Sequence, residues 1–216
     1  MKSSKTQIKV CGITRPEDAL FCANQGVDAL GFVFYEPSPR YIAPAAACKI
    51  IRQTPLFITR IGLFVNAPRD KVLEVLAQAP LHLLQFHGDE DEAYCASFDR
   101  PYLKAARMKP GVDLLEFAAC FPSAEGILCD AFVEGYGGAG KTFDWNLLPP
   151  GGTLSRPLVL SGGLDVENVG EAVRRVRPAA VDVSSGVEAG KGIKDHAKIQ
   201  AFVEKVRQAD EFIRST

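Results

Sequence analysis

Short apolar runs rich in Val, Ile, Leu and Phe recur along the chain, each bounded by polar residues, Gly or Pro. Their length and β-branched content predict strands at 8–11, 29–34, 60–65, 81–86, 102–106, 126–130, 158–161 and 180–184. Between them, apolar residues at helical spacing predict helices at 18–25, 45–52, 71–77, 166–176 and 198–213. Pro44 suits the first turn of the second helix. The third is entered after Pro68, and Asp165 is placed to cap the fourth. Strands alternating with helices imply a parallel sheet. Eight units of about 27 residues each predict an α/β fold, a single closed (β/α)8 TIM barrel of the phosphate-binding type, over a doubly wound open sheet. No linker, charge run or low-complexity stretch divides residues 1–216. They read as one domain, with residues 1–7 a flexible N-terminal tail.

Composition narrows the partners. The 216 residues are 47% hydrophobic and 24% charged, enough for one substantial core. A formal net charge of −1 supplies no general attraction for nucleic acid. A small anionic substrate needs only local positive groups. No apolar run approaches the ~20 residues of a membrane span, and Met1 to Gln7 has no apolar signal core. The chain reads as cytoplasmic. Six cysteines are scattered without metal-ligand or disulfide spacing, and most read as buried thiols. Monomer and homodimer both stay open.

One motif points elsewhere. Gly135-Tyr-Gly-Gly-Ala-Gly-Lys-Thr142 has the spacing of a nucleotide-binding P-loop. That loop must open a full helix, whose first N–H groups hold phosphates. Here Pro149-Pro150 follows within eight residues, leaving room for one or two turns. The segment reads instead as an active-site loop made mobile by glycine.

In a (β/α)8 barrel the chemistry sits at the C-terminal ends of the strands. Cys11, His87 and Asp130 all fall at such ends. Gly162-Gly163 closes the seventh strand and Ser184-Ser185-Gly186 the eighth, where these barrels hold phosphate through backbone N–H groups. Lys9 lies two residues before Cys11, on the same strand face. Asp182 shares a face with Ser184 on the eighth strand, which neighbours the first once the barrel closes. A Lys9–Asp182 ion pair is therefore expected inside the barrel, with Lys9 helping to ionise Cys11.

These residues resemble the phosphoribosylanthranilate isomerases of tryptophan biosynthesis. The likeness runs through Lys9-Val-Cys-Gly-Ile-Thr14, Gly31-Phe-Val-Phe34, Ser38-Pro-Arg40 and Gln85-Phe-His-Gly88. It continues through Leu128-Cys-Asp130, Gly137-Gly-Ala-Gly-Lys-Thr-Phe-Asp-Trp145, Ser161-Gly-Gly-Leu164 and the segment from Val181 to Asp195. It implies a metal-free, coenzyme-free barrel that performs an Amadori rearrangement on a phosphorylated sugar. It implies Cys11 as general base, Asp130 as general acid and Arg40 as the contact to the anthranilate carboxylate. Gly162, Gly163, Ser185 and Gly186 become the phosphate grip, and His87 and Lys141 further substrate contacts. Ala139 stands where the family commonly has Thr, and Phe86 where it commonly has Leu. An acid of this kind must hold a proton that a free Asp, with a pKa of about 3.9, has lost by pH 7. The base must be a thiolate, only a few per cent of a free thiol at that pH.

Three other functions fit parts of the pattern. A P-loop NTPase would need a long helix after Thr142. A metal-dependent barrel epimerase or lyase would need two carboxylates and histidine ligands at the strand ends. A non-catalytic sugar-phosphate binder would not need the acid and base.

Overall fold

The protein is described from a computed structural model, over residues 5–131, 142–149 and 153–215. Eight parallel strands close on themselves in chain order: β1 (Gln7–Cys11), β2 (Ala29–Val33), β3 (Thr59–Phe64), β4 (Leu83–Phe86), β5 (Tyr102–Met108), β6 (Gly126–Ala131), β7 (Leu158–Leu160) and β8 (Ala180–Val183). Each expected strand is present, its ends shifted by no more than two residues. The helices are α1 (Pro16–Asn24), α2 (Pro44–Ile51), α3 (Arg69–Gln78), α4 (Glu92–Ala96), α5 (Leu114–Ala119), α6 (Val169–Val176) and α7 (His196–Ser215). The short α4 and α5 escaped the periodicity reading because neither completes two turns. Asp91 and Asp113 cap them by accepting backbone N–H bonds. A short hairpin, β9 (Glu188–Gly190) with β10 (Ile193–Lys194), was also not expected.

Alternation along the strands divides the core in two. Outward residues pack against the helices. Phe86, the departure from the commoner Leu, sits among Phe64, Tyr94, Phe98 and Tyr102, with ring centroids 5.6–6.2 Å apart. Full burial of such a ring contributes roughly 1.5–3 kcal/mol. Inward, Ile61, Leu103, Ala105, Leu128 and Val159 form a smaller cluster. Lys9, Gln85 and Asp182 are buried polar residues that replace apolar ones on the inward face.

Residues 6 and 7, expected in a flexible tail, are held in the fold. Gln7 opens β1, and Thr6 is buried. Its N–H and hydroxyl both donate to Asp210 on α7, at 3.0 and 2.6 Å. The last helix thus fastens the start of the first strand, an interaction 204 residues apart in sequence. Asp165 is likewise not the cap itself. It accepts N–H bonds from Glu167 and Asn168 and forms a turn that leads to α6. After β6, Trp145–Leu147 makes a single 3-10 turn capped by Asp144. Among the described residues no long helix follows Thr142, against the P-loop reading. Most of that loop, including Lys141, lies outside the described residues.

One buried pair carries fold stability away from the site. Lys104 on β5 and Glu90 meet at 2.9 Å with both side chains almost fully enclosed. Glu90 also accepts the N–H groups of Asn66 and Gly88, tying the loops after β3 and β4 together. Removing one partner of such a pair strands the other charge. Glu90→Ala should therefore cost about 3–5 kcal/mol in urea unfolding. A loss below about 1 kcal/mol, the range of exposed pairs, would refute this assignment.

Candidate active site

The C-terminal mouth of the barrel holds an open cavity of about 720 Å³, open solvent included. Of the expected residues, Cys11, Arg40, His87, Asp130, Gly162, Gly163 and Ser185 all line it. Gly186 does not reach the wall. It lies behind it, in a strand-like bridge to Asp165 that joins the loops after β7 and β8. Lys141 is outside the described residues.

Two glycines are required by what lies beside them. Gly12 has φ +77°, and a Cβ there would meet Arg40 Cδ at 2.6 Å. Gly162 has φ +85°, and a Cβ would lie 2.4 Å from the Ala131 nitrogen and 2.9 Å from Asp130 Oδ1. Any side chain at 162 would push the loop after β7 off the carboxyl at the end of β6.

Beneath Cys11 the expected ion pair is present. Lys9 and Asp182 are opposite in the β1–β8 register, and Lys9 Nζ reaches Asp182 Oδ2 at 2.9 Å. Its effect on Cys11 differs from expectation. Burial dominates and pushes the thiol up; Lys9 and Lys194 pull it down, while Asp182 opposes them. The net shift is upward. The positive charge is neighbouring but is partly cancelled by its own partner.

His87 was expected at the substrate, with no part in proton transfer. Its ring is instead engaged on both sides. Nε2 lies 3.0 Å from Asp130 Oδ2 and Nδ1 lies 2.9 Å from Gln85 Nε2. With an amide N–H at Nδ1, the neutral ring carries its proton on Nε2 and donates it to Asp130. Asp130 Oδ1 accepts the Ala131 N–H at 2.9 Å. The carboxyl is thus fixed from two directions. Gln85 and His87 share a strand face at period two, a signal the sequence carried and the motif reading passed over. Gln85 Oε1 and Asp182 Oδ1 are buried acceptors with no partner among the described residues, and both residues line the cavity.

Arg40 is buried and held by Glu188 through Nε and Nη2, each at 2.8 Å. Lys194 joins the same carboxylate at 3.0 Å. Burial alone would raise the Glu188 carboxyl, but these two cations outweigh it and hold it below the ordinary range. Neither Glu188 nor Lys194 had been singled out. They lie 148 residues or more beyond Arg40, and only the fold brings them together. Among the described residues there is no grouping of three or more His, Cys, Asp or Glu suited to a metal ion.

The sequence model described as PRAI, N-(5'-phosphoribosyl)anthranilate (PRA) isomerase, matches residues 8–205. The chain belongs to the N-(5'-phosphoribosyl)anthranilate isomerase family. A relative of that name from Dechloromonas aromatica (strain RCB) is 60% identical over 209 residues, spanning 97% of this chain and all of the relative. Among solved structures, the monomers generated from the dimeric isomerase of Thermotoga maritima align with a TM-score of 0.83 at 40% identity, covering 94% of this chain and 98% of that one. A family member in complex with reduced 1-(o-carboxyphenylamino)-1-deoxyribulose 5-phosphate aligns with a TM-score of 0.79 at 38% identity, covering 94% and 99%. The fold and the isomerase class of this chain are those of the family, and the P-loop, epimerase and non-catalytic readings are set aside.

Opposed charges around Cys11 give a signed test. Lys9→Met removes a charge that lowers the thiol, so the pH at which kcat/KM rises should move up. Asp182→Asn removes a charge that raises it, so that pH should move down. Lys9→Met should also lower the thermal midpoint, by stranding Asp182. Shifts of the same sign, or an unchanged profile and midpoint, would contradict the arrangement.

Proposed function

We propose that the protein isomerises N-(5'-phosphoribosyl)anthranilate to 1-(2-carboxyphenylamino)-1-deoxyribulose 5-phosphate, in tryptophan biosynthesis, by general acid–base catalysis. The observation that carries this reading is that a thiol on β1 and a carboxyl on β6 line one cavity whose rim includes the loops after β7 and β8. The reaction needs those elements. An acid protonates the furanose ring oxygen. The aniline nitrogen lone pair then expels that oxygen, giving a Schiff base and a ring-opened hydroxyl. A base removes the C2 proton, forming an enolamine, which ketonises as C1 gains a proton and the C2 hydroxyl loses one. The anthranilate nitrogen is the electron sink, so the chemistry calls for no coenzyme.

Asp130 is the acid, with His87 behind it to orient the carboxyl. Cys11 is the base. A thiol pushed up by burial becomes a strong base when it ionises, and Lys9 and Lys194 lie near enough to stabilise the anion. Gly162, Gly163 and Ser185 offer backbone N–H groups to the phosphate, with Gly186 supporting them and Lys141 as an added cation. Arg40 takes the anthranilate carboxylate. The ligand of the solved family member, a reduced form of this product, supports the assignment of substrate class.

The same reading extends to assembly and place. Phe57 and Leu56, on the loop between α2 and β3, are 95% and 73% exposed. At the same end of the barrel is a cavity with walls that include Ile8, Ile61, Leu83, Leu103 and Val159. We infer a homodimer in which that apolar loop is covered by the partner, as the dimeric Thermotoga maritima relative makes reasonable. The work is done in the cytoplasm. Among the described residues no helix is long and apolar enough to cross a membrane.

Following anthranilate fluorescence with purified enzyme tests the chemistry. Cys11→Ala and Asp130→Asn should each lower kcat by at least ~10²-fold. A variant within a few-fold of wild type would show its role to be misassigned. Sedimentation tests the assembly: wild type should run as a dimer and Phe57→Ser as a monomer, and a monomeric wild type would end the dimer reading.

A further inference from the structure

Glu188 is a buried carboxylate that the chemistry above leaves without a role. Its two oxygens meet the Nε and Nη2 of Arg40 at 2.8 Å each, the parallel fork that fixes a guanidinium in one plane. The side chains are 9% and 7% exposed, so the pair is shielded from salt and water. Glu188 is itself held. Lys194 donates to it at 3.0 Å and to the Ser184 carbonyl at 3.1 Å. The Lys194 backbone N–H donates to Asp18 at 3.1 Å, anchoring β10 to α1. Ser184 in turn donates to the Cys11 carbonyl at 3.0 Å.

The fork uses one edge of the guanidinium and leaves another. Nη1 has no partner among the described residues, and Nη2 retains a second hydrogen. Of the three charges, only Arg40 lines the cavity. Two cations against one anion leave one positive charge unmatched, which a single carboxylate would neutralise. We propose that Glu188 is a positioning residue. It locks Arg40 so that its Nη1–Nη2 edge is presented to the carboxylate of the aromatic amine, and it thereby sets the preference for an amine that carries an ortho carboxylate. This rests on the isomerase reading and adds to it the residue that makes Arg40 selective. Without the lock, a long, flexible arginine must be ordered each time the ligand binds.

The test compares two ligands by calorimetry. One is reduced 1-(o-carboxyphenylamino)-1-deoxyribulose 5-phosphate, and the other is the same molecule without its carboxyl group. In Glu188→Gln, affinity for the first should fall about tenfold or more, the scale of one charge-assisted contact, and affinity for the second should stay within about twofold. In an Arg40→Met background, Glu188→Gln should have no further effect on the first ligand. Glu188→Asp, which keeps the charge on a shorter arm, should fall between wild type and Gln; it reads the same difference if the Gln variant does not fold. Equal losses for both ligands would mark Glu188 as merely structural and overturn the proposal, as would no loss for either. A wild-type protein that binds neither ligand would overturn the isomerase reading, and this proposal with it.

Discussion

The site depends on the closure of the barrel between its first and last strands. Only that closure sets Lys9 opposite Asp182, and only that pairing lets two charges sit in the interior at the foot of the cavity. Neither charge is tolerable there alone, because an unpaired ion in a low-dielectric interior costs several kcal/mol. The pair also fixes the electrostatic surroundings of Cys11. A lone lysine would favour the thiolate strongly. A lysine already matched by an aspartate favours it weakly, and burial prevails.

Asp130 and Cys11 are supported in different ways. Asp130 is held by hydrogen-bonding partners, the His87 ring and the Ala131 N–H, with Gln85 setting the ring behind it. Cys11 has cations near it and no comparable chain. On the same rim Arg40, Glu188 and Lys194 form a third unit, linked through Ser184 to the backbone of Cys11. Loop residues in this protein therefore owe their positions to side chains drawn from distant strands, which is how a site on loops attains rigidity.

Much of this was legible in the sequence. Eight apolar runs foretold eight strands, and period two along β1 and β8 foretold the ion pair. What was missed divides by cause. The helices α4 and α5 are too short to show a period, and their identity rests on single capping aspartates. Gln85 was within reach, two residues from His87 on one face. The Arg40–Glu188 contact was not, because no local pattern reveals which of many charged residues will meet across 148 positions. The place of Thr6 was missed for the same reason: it is polar, and its partner Asp210 lies 204 residues away. The direction of the Cys11 shift could not be read from Lys9 alone, since it is a contest between burial and charge that only coordinates decide.

The burial of Cys11 has a consequence for endurance. Oxidants and electrophiles attack thiolates, and a cysteine that is 5% exposed, its thiol pushed up by burial, offers them little. A catalyst that kept a permanently ionised sulfur at an open mouth would be inactivated between turnovers. The burial that raises this thiol thus also shields it.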